Sequence, residues 1–115
     1  MNKICILTLL LVFLWACNNE DSQQEIPNCI QEKIEDIKGE DVWNPPAKIF
    51  SYQYEGKIVY YITARCCDIM SQLYDENCNY ICAPDGGIAG NGDGKCIDFL
   101  SDRTNEKLIW EDKRK

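Results

Sequence analysis

Apolar residues fall along this chain in four patterns, and each pattern predicts a different element. The first is an unbroken run over residues 4–16, preceded by Lys3 and ending at Cys17. It is too short for a membrane-spanning helix, which needs roughly 20 apolar residues. The second is a stripe of Ile26, Ile30, Ile34 and Ile37, at spacings of four, four and three. That spacing puts all four on one face of a helix, predicted over residues 27–38. Pro27 suits the first helical turn, where its missing N–H costs nothing, and Gly39 suits a left-handed stop. Asn44-Pro45-Pro46 then enforces an extended connection.

The third pattern is alternation. Lys48–Tyr54 and residues 57–63 are rich in aromatic and β-branched side chains and flank Glu55-Gly56, which predicts a hairpin. A two-residue turn there opposes Tyr54 to Lys57, Tyr52 to Val59 and Phe50 to Tyr61. Phe50, Tyr52, Tyr54, Val59 and Tyr61 then share one face, expected to lie under a neighbouring loop. Ile49, Ile58, Tyr60 and Ile62 share the other, the better bed for the isoleucine stripe. The fourth pattern is a pair of short runs, 73–75 and 79–82, about Glu76-Asn77-Cys78. In such a turn Cys78 takes the left-handed position that glycine usually fills. Residues 106–111 read as a last strand. The expected fold class is α+β: one N-terminal helix packed on a small, mainly antiparallel sheet, stapled by disulfides.

Charge and composition narrow the chemistry. The 115-residue chain has a formal net charge of −7, and it has no histidine. Removal of residues 1–16 takes away Lys3 and no acidic residue, so the remainder is one unit more negative. Such a surface repels phosphate backbones, which excludes nucleic acid as an expected partner. Lys113-Arg114-Lys115 read as a short solvated tail. Without histidine the commonest general base and zinc ligand are missing, and no carboxylate pair stands out. The chain is therefore expected not to be an enzyme, and no cofactor is implied.

The leader carries an address. Lys3 supplies a positive n-region, the apolar run an h-region, and Ala16 a small residue before a cut. Leu14-Trp15-Ala16-Cys17, followed by polar Asn18-Asn19-Glu20-Asp21, resembles the lipobox of bacterial lipoproteins. That resemblance implies a lipoprotein signal peptide over 1–16 and lipid on Cys17, which would anchor the chain to a membrane. Residues 17–25 then form the lipidated cysteine and a flexible tether, and 26–115 a single small globular domain.

Eight cysteines fit an exported protein. Cys5 leaves with the signal and Cys17 carries lipid, so six remain, an even set that reads as three disulfides. A bridge between adjacent Cys66 and Cys67 closes a strained ring. Cys78 and Cys82 stand about 13 Å apart along an extended strand, beyond disulfide reach. Cys66 shares the parity of Ile62, and Cys29 sits in the first helical turn, so Cys29–Cys66 is expected to pin helix to sheet. Cys82–Cys96 closes the glycine-rich loop, and Cys67–Cys78 remains.

That loop is the oddest segment. Five glycines lie within residues 84–94. Asp85, Asn91, Asp93 and Asp98 nearby make a calcium site conceivable, although alignment to an EF-hand puts Ala89 first and Leu100 twelfth. A second reading is a protease-inhibitor-like domain that presents residues 83–95 as a preorganised loop. The main expectation is a structural or recognition module with an unknown protein or glycan partner.

The order of motifs supports that expectation. Ile26-Pro27-x-Cys29-Ile30, Asn44-Pro45-Pro46-Ala47, Gly56-Lys57-x-Val59-Tyr60-Tyr61, Cys66-Cys67-Asp68, Leu73-Tyr74-Asp75 and Gly92-Asp93-Gly94-Lys95-Cys96 span nearly the whole exported domain. Together they resemble a family of short, uncharacterised lipoproteins of the Bacteroidota, a domain of unknown function. The resemblance implies a location and no activity. Glu20-Asp21 loosely fits the acidic surface-export signal of that phylum, and Asn18 differs from the aspartate of inner-membrane retention. The expected location is the outer membrane, periplasmic or surface-exposed.

Overall fold

The isoleucine stripe does form a helix, α1 (Asn28–Lys38), and it buries Ile30, Ile34 and Ile37. The computed structural model describes residues 25–66 and 68–115; the leader, Cys17, most of the tether and Cys67 lie outside the described residues. Pro27 caps α1, its carbonyl accepting from the Ile30 and Gln31 amides at 3.0 Å. Strands β1 (Lys48–Tyr54) and β2 (Lys57–Ile62) pair antiparallel in the expected register, Phe50 with Tyr61 and Tyr52 with Val59. Their turn carries Glu55 at φ 51° and Gly56 at φ 75°, the left-handed pair that matches strand twist. β3 (Gln72–Tyr74) and β4 (Tyr80–Cys82) form the second hairpin, with Cys78 at φ 59°. A single turn, α2 (Phe99–Asp102), precedes β5 (Thr104–Glu111). The five strands order as β4-β3-β2-β1-β5, with every neighbouring pair antiparallel. No helix among the described residues is long and apolar enough to cross a membrane.

Each face of the sheet builds its own core. On one, Ile49, Tyr60 and Ile62 meet the α1 isoleucines and Ala47. On the other, Tyr52, Tyr54, Val59, Tyr61 and Leu73 meet Phe99 and the Cys82 and Cys96 sulfurs. The aromatic face is thus covered by the segment between β4 and β5.

Three expectations are corrected here. Gly39 is right-handed, at φ −77° and ψ −10°. The exposed carbonyls at the end of α1 are instead capped from 76 residues away. Arg114 Nη1 donates to the Lys38 carbonyl at 2.8 Å and to Glu40 at 3.1 Å, and Nη2 donates to Ile37 at 3.2 Å. A guanidinium satisfies the orphan carbonyls and complements the negative end of the helix dipole, so no left-handed glycine is required. Arg114 is therefore no solvated tail. It also pairs at 2.8 Å with Asp112, a buried carboxylate. Hydrogen bonds from Arg114 hold that carboxyl below the usual carboxylate range.

The third correction is covalent. Cys29 is bonded to Cys78, with a Cα separation of 6.1 Å. This replaces both Cys29–Cys66 and Cys67–Cys78, while Cys82 and Cys96 are joined as expected. Parity places Cys66 on the correct face but says nothing about which end of the helix lies above it. The Glu40–Arg65 ion pair, at 3.3 Å, sets the C-terminal end of α1 beside the segment after β2. Eleven residues of helix span about 16 Å, so Cys29 lies at the other end, over the β3–β4 turn.

Candidate functional site

The glycine-rich loop between Cys82 and Cys96 is the most distinctive surface of the domain, and tyrosines on the sheet decide its shape. β2 projects Tyr61 toward the loop because the hairpin register puts it on the aromatic face. Its hydroxyl donates to both oxygens of Asp85 at 2.9 Å. The main chain at Asp85 is tied as well. Ser71 N–H donates to the Asp85 carbonyl at 3.0 Å, and Asp85 N–H donates to Ser71 Oγ at 3.1 Å. This is the entry leg of the loop.

Asp93 fastens the exit leg. One of its oxygens accepts from the Ala83 N–H at 3.0 Å and the Tyr80 hydroxyl at 2.9 Å, and the other accepts from the Lys95 N–H at 3.0 Å. These bonds, led by that from Lys95, hold the Asp93 carboxyl below the usual range. Between the legs the backbones approach so closely that only glycine fits at 92. A Cβ there would collide with the Ala83 carbonyl, and φ is +63°. The Cys82–Cys96 bridge closes the base, with a Cα separation of 6.2 Å.

Two further tyrosines pin the chain that follows. Tyr54 donates to Asp98 at 2.6 Å and Tyr52 donates to Glu106 at 2.6 Å. Phe99 fills the space between the rings, with centroids 5.5 Å from Tyr52, 5.2 Å from Tyr54 and 6.0 Å from Tyr61. The Arg103 guanidinium sits 4.6 Å from the Tyr52 ring and 5.4 Å from Phe99. Burial, reinforced by the Glu106 bond, pushes Tyr52 up from 10.0 to about 12. Tyr54 is raised chiefly by its bond to Asp98, and Tyr61 by burial and then by Asp85. All three phenols therefore stay protonated and act as fixed donors, not as bases.

This wiring bears directly on the calcium candidates. Asp85, Asp93 and Asp98 each face a different tyrosine, and Asn91 is exposed beside Gly86. The four do not converge, and among the described residues no group of three or more acidic or sulfur side chains is placed to hold a metal ion. The carboxylates are already occupied by protein donors, so the calcium reading is not retained.

What remains free is the tip. Gly90 N–H donates to the Gly87 carbonyl at 3.2 Å, closing a turn that carries Ile88 and Ala89 at its apex. Ile88 is 90% exposed. Sequence reasoning identified the loop but missed its tyrosine anchors, its Phe99 plug and Ile88. The available signal was numerical: four tyrosines on paired strands are followed by as many acidic residues within and after the loop.

A family model described as a domain of unknown function (DUF6970) matches residues 35–112. No curated protein and no solved structure matches the chain.

Proposed function

The chain belongs to the DUF6970 family, and from that premise we propose that it is a lipid-anchored lipoprotein of the outer membrane whose domain acts as a recognition module. The lipobox-like stretch ending in Cys17 supports the anchor, with residues 18–25 as tether. The even set of six remaining cysteines supports an oxidising compartment. The observation that carries the recognition role is the loop. Both legs are hydrogen-bonded and cross-linked, while the apolar side chain at the apex faces solvent. A rigid loop loses little conformational freedom when it binds, so such a tip is preorganised for contact.

The inhibitor-like reading draws on the same loop but fits it less well. Ile88 sits in a closed turn, whereas a protease cleft that adds its substrate to a sheet edge takes an extended chain. Two measurements test the proposal. Cys17→Ala should abolish palmitate incorporation and shift the protein out of the membrane fraction; unchanged labelling and partition refute the anchor. Purified domain added to a panel of serine and cysteine proteases should leave their activity unchanged; stoichiometric inhibition would replace recognition by inhibition.

A further inference from the structure

Ile88 does not stand alone. Gly87 N–H donates to the Ile69 carbonyl at 3.4 Å, and Gly86 bridges Met70. The Met70 side chain lies against Gly87, its Cγ 3.1 Å from where a Cβ would be. Ile69 is 50% exposed and Met70 41%. Three apolar side chains thus crown one end of the domain, and residues 86–92 carry no charge in a chain whose net charge is −7.

The place where the chain leaves the domain determines which way this crown points. α1 begins beside the β3–β4 turn, because Cys29 is bonded to Cys78. The tip packs at the opposite end of β3, past Gln72, which pairs with Ile62. From Asp75 to Met70 the sheet runs for roughly 16 Å at 3.3 Å per residue. A tether that starts at Cys17 therefore enters at one pole while Ile88 occupies the other, facing away from the anchoring bilayer. A second copy offers no matching socket. Every cleft among the described residues is rimmed by charged side chains, such as Lys57, Asp75 and Glu76 or Lys33, Asp36 and Glu40.

We propose that the 86–92 tip docks a different protein by seating Ile88 in an aliphatic pocket, with Met70 and Ile69 as the flanking contact. The choice of a protein over a bilayer rests on the anchoring reading above; the role of Ile88 does not. A pinned, uncharged, convex apex fits a concave apolar socket, in the manner of a buried anchor residue surrounded by weaker contacts.

The test uses the full chain in the membranes of cells that produce it. A photo-reactive phenylalanine derivative replaces Ile88 in one variant and Lys57, at the opposite pole, in another. The expected result is one protein adduct from position 88 that is absent from position 57. That protein, once identified and purified, should bind Ile88→Val about fourfold more weakly than wild type, the effect of one methylene. It should bind Ile88→Asp at least about tenfold more weakly, because a carboxylate would be desolvated without a partner. An adduct with phospholipid, with a second copy of the chain, or with equal yield from position 57 overturns the proposal. So does wild-type affinity of Ile88→Asp. Failure of the anchoring reading appears separately, as unchanged membrane partition of Cys17→Ala.

Discussion

Phe99 should be the costliest side chain to remove from the aromatic face. It is fully buried and contacts three tyrosine rings, and each of those tyrosines donates to a carboxylate in the 85–106 segment. Phe99→Ala leaves a cavity lined by these rings. Buried Phe→Ala changes cost about 3–5 kcal/mol, against about 5–15 kcal/mol for the whole stability of a small domain. With a urea dependence of about 1 kcal/mol per molar, the unfolding midpoint should fall by about 3–5 M, or the native state should be lost. Phe99→Leu keeps most of the volume and forfeits the edge-to-face contacts, each about 0.5–1.5 kcal/mol, so it should lie between. The assay is urea unfolding followed by far-ultraviolet circular dichroism with the disulfides intact. A Phe99→Ala midpoint within about 0.5 M of wild type refutes the reasoning, since the ring could not then hold the loop segment to the sheet.

On the helical side, Ile34→Ala should cost about 2–5 kcal/mol, while Ile34→Asp should abolish cooperative unfolding by burying an unpaired charge; thermal melts of both variants decide whether the stripe is the contact. Gly92→Ala should cost about 1–3 kcal/mol, because it adds a Cβ against the Ala83 carbonyl in a left-handed conformation. An unchanged melting temperature would mean that the legs of the loop are not packed together. At alkaline pH the raised phenols set the direction. Tyr52 ionises near 10.0 when unfolded and at about 12 when folded, so its contribution is complete below pH 10 and is lost as pH rises from 10 through about 12. Urea midpoints measured from pH 9 to 12 should decline over that window, less steeply for Tyr52→Phe; a flat profile contradicts the assignment.

The disulfides, loop anchors and helix cap answer to one physical requirement. The chain between β4 and β5 contains little that can pack except Phe99, and its glycines disfavour any single conformation. Side-chain hydrogen bonds from the sheet and one covalent bridge substitute for a local core. In the same way α1 has no side-chain cap of its own at its N-terminus. It is fixed by a disulfide at one end and by Arg114 at the other.

Local chemistry alone made much of this legible. Spacing of isoleucines announced α1 and its buried face, because a helix repeats every 3.6 residues. Alternation and the Glu55-Gly56 turn set the register of β1 and β2, hence which tyrosines share a face. Cys78 announced its own positive φ by occupying a position that a three-residue turn reserves for glycine. The direction in which α1 crosses the sheet was not legible, since periodicity specifies a face and not an orientation along it. That orientation alone made Cys78, and not Cys66, the partner of Cys29. The carboxylates follow the same rule. Sequence shows aspartates around a glycine loop, but whether they face one another or face tyrosines depends on contacts between residues 13 to 54 positions apart. Only the folded chain brings those together, and it spends them on holding Ile88 out to solvent.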